Sequence, residues 1–177
     1  MKTTLAGPLN LLYRRPSERT PVAFTITTEA VEQMNGAWLA ENGGYGDREV
    51  GGWLLADRRW PDQIFAAIDA TVDARHETVT MRNLHEIEDR LGEHVLVAGN
   101  FHTHPAGSHG VPSDVDMSGS FTHLAHLLDE RERDRTLDVI GVPRGDGTLE
   151  LYGWSTRLRA GIAHRAKTEP ARIEVVW

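Results

Sequence analysis

The sequence predicts a single α/β domain in which a mixed, mostly antiparallel β-sheet is flanked by helices in three layers. Short apolar segments typical of strands alternate along the chain with segments of helical periodicity. The 177 residues, 40% of them hydrophobic and 25% charged, suit one globular domain with a sizeable core. The order strand, helix, two strands, helix, strand, helix, two strands favours helices packed on both sides of one sheet.

The first half of the chain contains one strand before a helix and several after it. Val22, Phe24 and Ile26 alternate with polar residues, which predicts a half-buried strand over residues 21–27. A helix is predicted from there to residue 40, capped by Thr27 or Thr28 and ended by Asn-Gly-Gly. Further predicted elements are strands at 49–56, 64–72 and 78–81, a polar turn at 58–63 and a helix at 83–91.

The second half of the chain repeats this alternation around a Gly-rich loop. A buried strand is predicted over residues 95–104, and a helix opening at Ser113 is predicted to run to residue 132. A hairpin around Gly-Asp-Gly follows. The remaining predicted elements are the hairpin strands 137–142 and 149–154, a helix at 159–168 and a strand at 173–177. Residues 1–20 are predicted as a flexible lead-in and residues 21–177 as the single domain.

Composition excludes several classes of function. A net charge of −7 argues against nonspecific nucleic-acid binding, which uses a basic surface. Cysteine is absent, which excludes disulfides and thiolate zinc sites. No apolar run approaches the roughly 18 residues that span a bilayer, and Pro8 interrupts the N-terminal apolar stretch. The sequence predicts a cytoplasmic protein with no nucleic-acid or membrane partner.

Two histidines at the end of a buried strand suggest a metal site. Alternate residues of a strand share a face, so His102 and His104 project the same way, roughly 6–7 Å apart along the chain. Imidazoles so placed can bind one ion at about 2.0–2.1 Å, and Asp116 beyond the loop can add a third ligand. The pattern is ambiguous on its own, because a lone His-x-His is common and Ser113 with Asp116 also resembles a capping box.

Glu49 is the candidate general base for hydrolysis at such a site. It begins an otherwise apolar strand, where a carboxylate is costly to desolvate without a purpose. Gly51 and Gly52 follow it and leave room for another backbone or a substrate.

Together these segments resemble the JAMM (MPN-type) metalloproteases, whose pattern is an upstream Glu, then His-x-His-Pro, then Ser-x-x-Asp. The resemblance implies that His102, His104 and Asp116 bind Zn²⁺, that Glu49 activates water and that Ser113 helps to hold the oxyanion. It also implies a cytidine-deaminase-like three-layer architecture. The loop before Ser113 is one residue longer than is common in the family, so Asp114 competes with Asp116, which keeps the Ser-x-x-Asp register.

The resemblance implies a zinc metallopeptidase or isopeptidase that cleaves after the C-terminal Gly-Gly tail of a ubiquitin-like or sulfur-carrier protein. The alternative from another class is a non-catalytic MPN-type scaffold or protein-binding module, although such modules usually lack one or more ligands. Zinc deaminases and zincins are excluded because Pro-Cys-x-x-Cys and His-Glu-x-x-His are absent. PHP-type phosphoesterases begin with a similar His-x-His-x-x-x-Ser, but near the N-terminus of a longer barrel.

Overall fold

Ten strands and three helices are present in the computed structural model, which describes residues 3–5, 22–44, 46–76, 78–129, 133–158 and 166–177. The strands are β1 (Thr3–Leu5), β2 (Ala23–Thr27), β3 (Gly51–Asp57), β4 (Trp60–Asp69), β5 (Thr71–Ala74), β6 (Val79–Met81), β7 (Val95–Thr103), β8 (Arg135–Pro143), β9 (Leu149–Leu158) and β10 (Ala166–Val176). The helices are α1 (Thr28–Asn42), α2 (Leu84–Glu88) and α3 (Asp114–Asp129).

Seven strands form one closed, mixed β-sheet. Their order is β10-β2-β4-β3-β7-β8-β9, and β9 pairs with β10 to close the ring. Closure depends on β10, whose first half pairs antiparallel with β9 and whose second half pairs parallel with β2. β1 pairs antiparallel with β10, while β5 and β6 form a separate hairpin.

The predicted three-layer α/β architecture is therefore wrong, because the domain is mostly β and its sheet is closed. The segment predicted as a helix over residues 159–168 is also wrong in its described part. Ala166, Lys167 and Thr168 belong instead to β10 and pair with β9. Residues 159–165 lie outside the described part of the chain, as does the predicted lead-in apart from β1.

The two faces of the central strands bury separate hydrophobic clusters. In β3, Leu54 and Ala56 join the main cluster, whereas Trp53 and Leu55 join a second cluster on the opposite face. Helix α1 contributes its buried side chains to the main cluster, and α2 contributes Ile87 to the second. The buried side chains of α1 are Ala30, Met34 and Trp38.

A β-bulge in β7 determines which face the candidate metal ligands occupy. Leu54 pairs with Gly99 while Leu55 pairs with Val97, so Ala98 is an extra residue in β7. Ala98 and Phe101 consequently both lie in the main cluster although they are an odd number of residues apart. Beyond the bulge, His102 shares the face of Gly51 and is turned away from the main cluster.

Most of the other local predictions hold with adjusted ends. Thr27 caps α1 by accepting from the Ala30 N–H, and Gly43 ends the helix with φ of 59°. The turn predicted at 58–63 contains only residues 58 and 59, because β4 already begins at Trp60. Within the described residues, no helix is long and apolar enough to cross a membrane.

Candidate metal centre

The end of β7 brings the two histidines to one face, as the strand period predicts. His102 pairs with Gly51 of β3 and His104 lies one residue beyond the strand. Thr103, on the other face, locks this end, since its hydroxyl accepts from the Val50 N–H and its own N–H donates to the Val50 carbonyl, both at 2.9 Å. These hydrogen bonds therefore fix the backbone positions from which the side chains of His102 and His104 project.

A capping box at the start of α3 fixes Asp116. The Ser113 N–H donates to Asp116 Oδ2 at 2.6 Å, and the Asp116 N–H donates to Ser113 Oγ at 3.2 Å. The capping interpretation and the site interpretation thus involve the same pair of residues. Because Ser113 Oγ accepts in this box, its hydroxyl hydrogen stays available for another acceptor. Asp114, the competing carboxylate, is exposed and does not belong to the cluster.

His102, His104 and Asp116 converge closely enough to hold a metal ion. The two Nε2 atoms lie 3.1 Å apart, and they lie 3.2 and 3.4 Å from Asp116 Oδ1 and Oδ2 respectively. Ligand atoms about 2.0–2.1 Å from a tetrahedral ion are about 3.3–3.4 Å from one another. The donor set and its spacing therefore fit one small divalent cation.

The electrostatic environment of the cluster suits metal binding. Burial favours a higher pKa for the Asp116 carboxyl, but the adjacent His102 and His104 rings hold that pKa far below its ordinary value. Burial likewise favours a lower pKa for His104, but Asp116 and the charge of Glu49 raise it. Asp116 and Glu49 thus place negative charge beside His104, and a cation would be attracted to the same charge.

Glu49 lies at the same edge of the sheet as the cluster. It precedes β3, its side chain is buried with 7% exposure, and its N–H donates to the Arg75 carbonyl at 2.7 Å. Extending the Gly51–His102 pairing by two residues places Glu49 opposite His104. The charge of Glu49 acts on His104, so this buried carboxylate lies near the cluster.

The space beside the glycines that follow Glu49 is filled by other parts of the protein. A Cβ at Gly52 would lie 2.0 Å from the Ile68 carbonyl oxygen of β4, and one at Gly51 would lie 2.6 Å from Met81 Sδ of β6. Of the predicted alternatives, a backbone or a substrate, the structure shows a backbone at Gly52, whereas Gly51 faces side chains of β6. The neighbouring groups are the chain's own β4 and the β5–β6 hairpin.

The loop between His104 and Ser113 is anchored at both ends. His104 Nδ1 lies 3.4 Å from the His109 carbonyl oxygen, an orientation that leaves Nε2 free to bind a cation. Trp154 Nε1 donates to the Gly110 carbonyl at 2.9 Å, and a Cβ at Gly110 would collide with the ring of Tyr152. The loop thus packs against β9, and Asp116 beyond it lies in the cluster.

A buried polar network beneath His102 was missed by the sequence analysis. Asp138 Oδ1 accepts from Asn100 Nδ2 at 2.8 Å, and Oδ2 accepts from the Thr136 hydroxyl at 3.0 Å. Burial raises the pKa of Asp138. The hydrogen bonds to its carboxylate and the charge of His102 act in the opposite direction but do not cancel the rise. A carboxylate within the apolar run 137–142 was the sequence signal that could have revealed it.

The structure also brings together a second group that could hold a metal ion, formed by His85, Glu88 and His126. His126 is four-fifths buried and lies three residues after His123 on α3. The i, i+3 spacing was visible in the sequence, but the partners come from α2, 38 residues earlier.

His123 itself packs inside the domain. Its side chain is 4% exposed and its ring meets Trp53 edge-on, with 5.6 Å between centroids. Burial first, and then the charge of His126, lower the pKa of His123 to about 4. Neither ring nitrogen has a well-formed hydrogen bond within the described residues, although the Val97 backbone lies nearby.

Comparison with known proteins supports the fold alone. The chain matches no protein-family profile and no curated protein sequence. It is similar to the solution structure of protein DSY2949 from Desulfitobacterium hafniense, with a TM-score of 0.55 and 17% sequence identity. The alignment covers 85% of this chain and 92% of that chain.

Proposed function

We propose that this protein is a zinc metallopeptidase or isopeptidase of the JAMM type. The observation that carries the proposal is the convergence of His102, His104 and Asp116 at ion-binding distances beside the buried carboxylate of Glu49. Two histidines, one carboxylate and an open fourth position are typical of catalytic zinc sites. Cysteine is absent, which is compatible with a cytoplasmic location.

Each residue has a defined part in the proposed hydrolysis. A zinc ion in the site would polarise the scissile carbonyl and make water acidic enough to be deprotonated near neutral pH. Glu49 accepts the proton of the attacking water on its carboxylate and returns it to the leaving amine. The Ser113 hydroxyl donates to the developing oxyanion while its oxygen remains the cap of α3.

The proposed substrate is the Gly-Gly tail of a ubiquitin-like or sulfur-carrier protein. The motif resemblance supports this choice, and so do the exposed apolar side chains beside the site. Val111 is 38% exposed in the loop, and Val115 is 76% exposed between Asp114 and Asp116. Such a rim suits a protein substrate better than a small polar one.

The test compares Glu49→Gln with the wild type. Because Gln removes the base but no ligand, we expect unchanged zinc content and turnover reduced by about 10²–10⁴-fold or more. Zinc is measured by elemental analysis, and cleavage of Gly-Gly fusions by intact mass. Asp114→Ala, a carboxylate change beside the cluster, is the matched control and should retain both properties.

Two outcomes would contradict the proposal. Full turnover in Glu49→Gln would remove Glu49 from the mechanism. A wild-type protein that takes up no zinc through His102, His104 and Asp116 would leave the scaffold alternative in place.

A further inference from the structure

We infer that His85, Glu88 and His126 form a second divalent-metal site that joins α2 to α3. The three side chains belong to two helices, and their ligand atoms all lie within 4.8 Å of one another. His126 Nε2 is 2.9 Å from Glu88 Oε1, and His85 Nδ1 is 3.4 Å from Glu88 Oε2. These separations bracket the roughly 3.3 Å expected between ligands of a tetrahedral ion.

The donor set favours a cation over a simple ion pair. His126 donates a hydrogen bond to Glu88 Oε1. The imidazole of His85 approaches Glu88 Oε2, but at 3.4 Å it is too far away for a strong hydrogen bond. An ion between the three groups would engage all of them at once. Two imidazole nitrogens and a carboxylate oxygen are typical zinc ligands, and the 70% exposure of His85 leaves the fourth position to solvent.

The site would stabilise a part of the fold that is weak by itself. Helix α2 has five residues, too few to be stable alone, and Ile87 is its buried anchor. Helix α3 carries Asp116 in its first turn and His126 about 15 Å further along its axis. A metal bound by His126 would therefore hold the far end of the helix whose near end supplies the third ligand of the primary cluster.

The experiment uses the full chain with the primary cluster removed by His102→Ala and Asp116→Ala. Zn²⁺ alone is titrated by calorimetry, and bound zinc is counted by elemental analysis after gel filtration. We expect one Zn²⁺ per chain. Adding His85→Ala should weaken binding by more than the 10–100-fold typical of losing a supporting residue around a metal. His94→Ala, an exposed histidine outside both clusters, is the matched control.

The exposed position of His85 keeps the test independent of folding, and circular dichroism verifies that each variant is folded. Zn²⁺ should raise the Tm of the cluster-deleted protein, and His85→Ala should abolish that rise while His94→Ala preserves it. The inference is overturned if the cluster-deleted protein binds no Zn²⁺. It is equally overturned if His85→Ala binds as tightly as its parent, because the group would then be an ion pair only.

Discussion

The buried imidazole of His123 predicts a specific loss of stability in mild acid. In the folded protein its pKa is lowered to about 4, chiefly by burial. In the unfolded chain the imidazole titrates near 6.5. Below pH 6.5 the unfolded state therefore binds a proton that the folded state does not. The neutral His123 imidazole therefore makes its full contribution to the free energy of unfolding above pH 6.5, and this contribution is lost as the pH falls towards 4.

The magnitude follows from the two pKa values. The difference between the folded and unfolded pKa values of His123 corresponds to roughly 3 kcal/mol, at 1.36 kcal/mol per pH unit. About 2 kcal/mol of this free energy of unfolding is lost by pH 5. For a chain of this size, 1 kcal/mol shifts Tm by about 2–4 °C. His123 should therefore account for about 4–8 °C of the fall in Tm between pH 7.5 and pH 5.

The assay is thermal unfolding of the wild type and His123→Phe at both pH values, with a chelator present so that metal loss does not contribute. Phe keeps an aromatic ring against Trp53 and cannot titrate. Two cationic groups, His126 and Arg133, act on the His123 imidazole, and both are present in the wild type and in the variant. Equal falls in Tm for the two proteins would refute the reasoning, since His123 would then not be held neutral by burial.

Three further changes test the site and its support. Asp116→Ala should lose zinc from the primary cluster while Asp114→Ala retains it, as measured by zinc content, and the reverse result would show that the longer loop shifts the ligand. Gly52→Ala should lower the free energy of unfolding in urea by about 1–3 kcal/mol or more, because its Cβ would lie 2.0 Å from the β4 backbone. Asp138→Leu should cost about 1–3 kcal/mol in the same assay by leaving the buried Asn100 amide unsatisfied, and an unchanged denaturation midpoint would argue against that network.

Sequence reasoning succeeded where the determining forces are local. The ends of α1 are set by Thr27 and Gly43, whose roles depend only on neighbouring residues. The shared face of His102 and His104 follows from the period of a strand. The Ser-x-x-Asp register favours Asp116 over Asp114, and the structure places Asp116 beside His102 and His104.

Sequence reasoning failed where a distant partner decides the outcome. Closure of the sheet requires β10 to change partners partway along its length, and no local pattern encodes that exchange. The same limit hid the contact between Glu88 and His126, which are far apart in the chain and meet only because α2 and α3 pack together. Asp138 differs, because its position in an apolar strand was an available signal.

The register of β3 with β7 makes the candidate centre unequally tolerant of changes in chain length. The loop after His104 runs over the surface, where changes in length are well tolerated, and Asp116 lies beyond it next to His102. Deleting one residue between Gly99 and His102 would instead move His102 from its position opposite Gly51 to one opposite Gly52 and turn it towards the apolar interior. Homologous chains should therefore vary in length between His104 and Ser113, whereas the number of residues from Gly99 to His102 should stay constant.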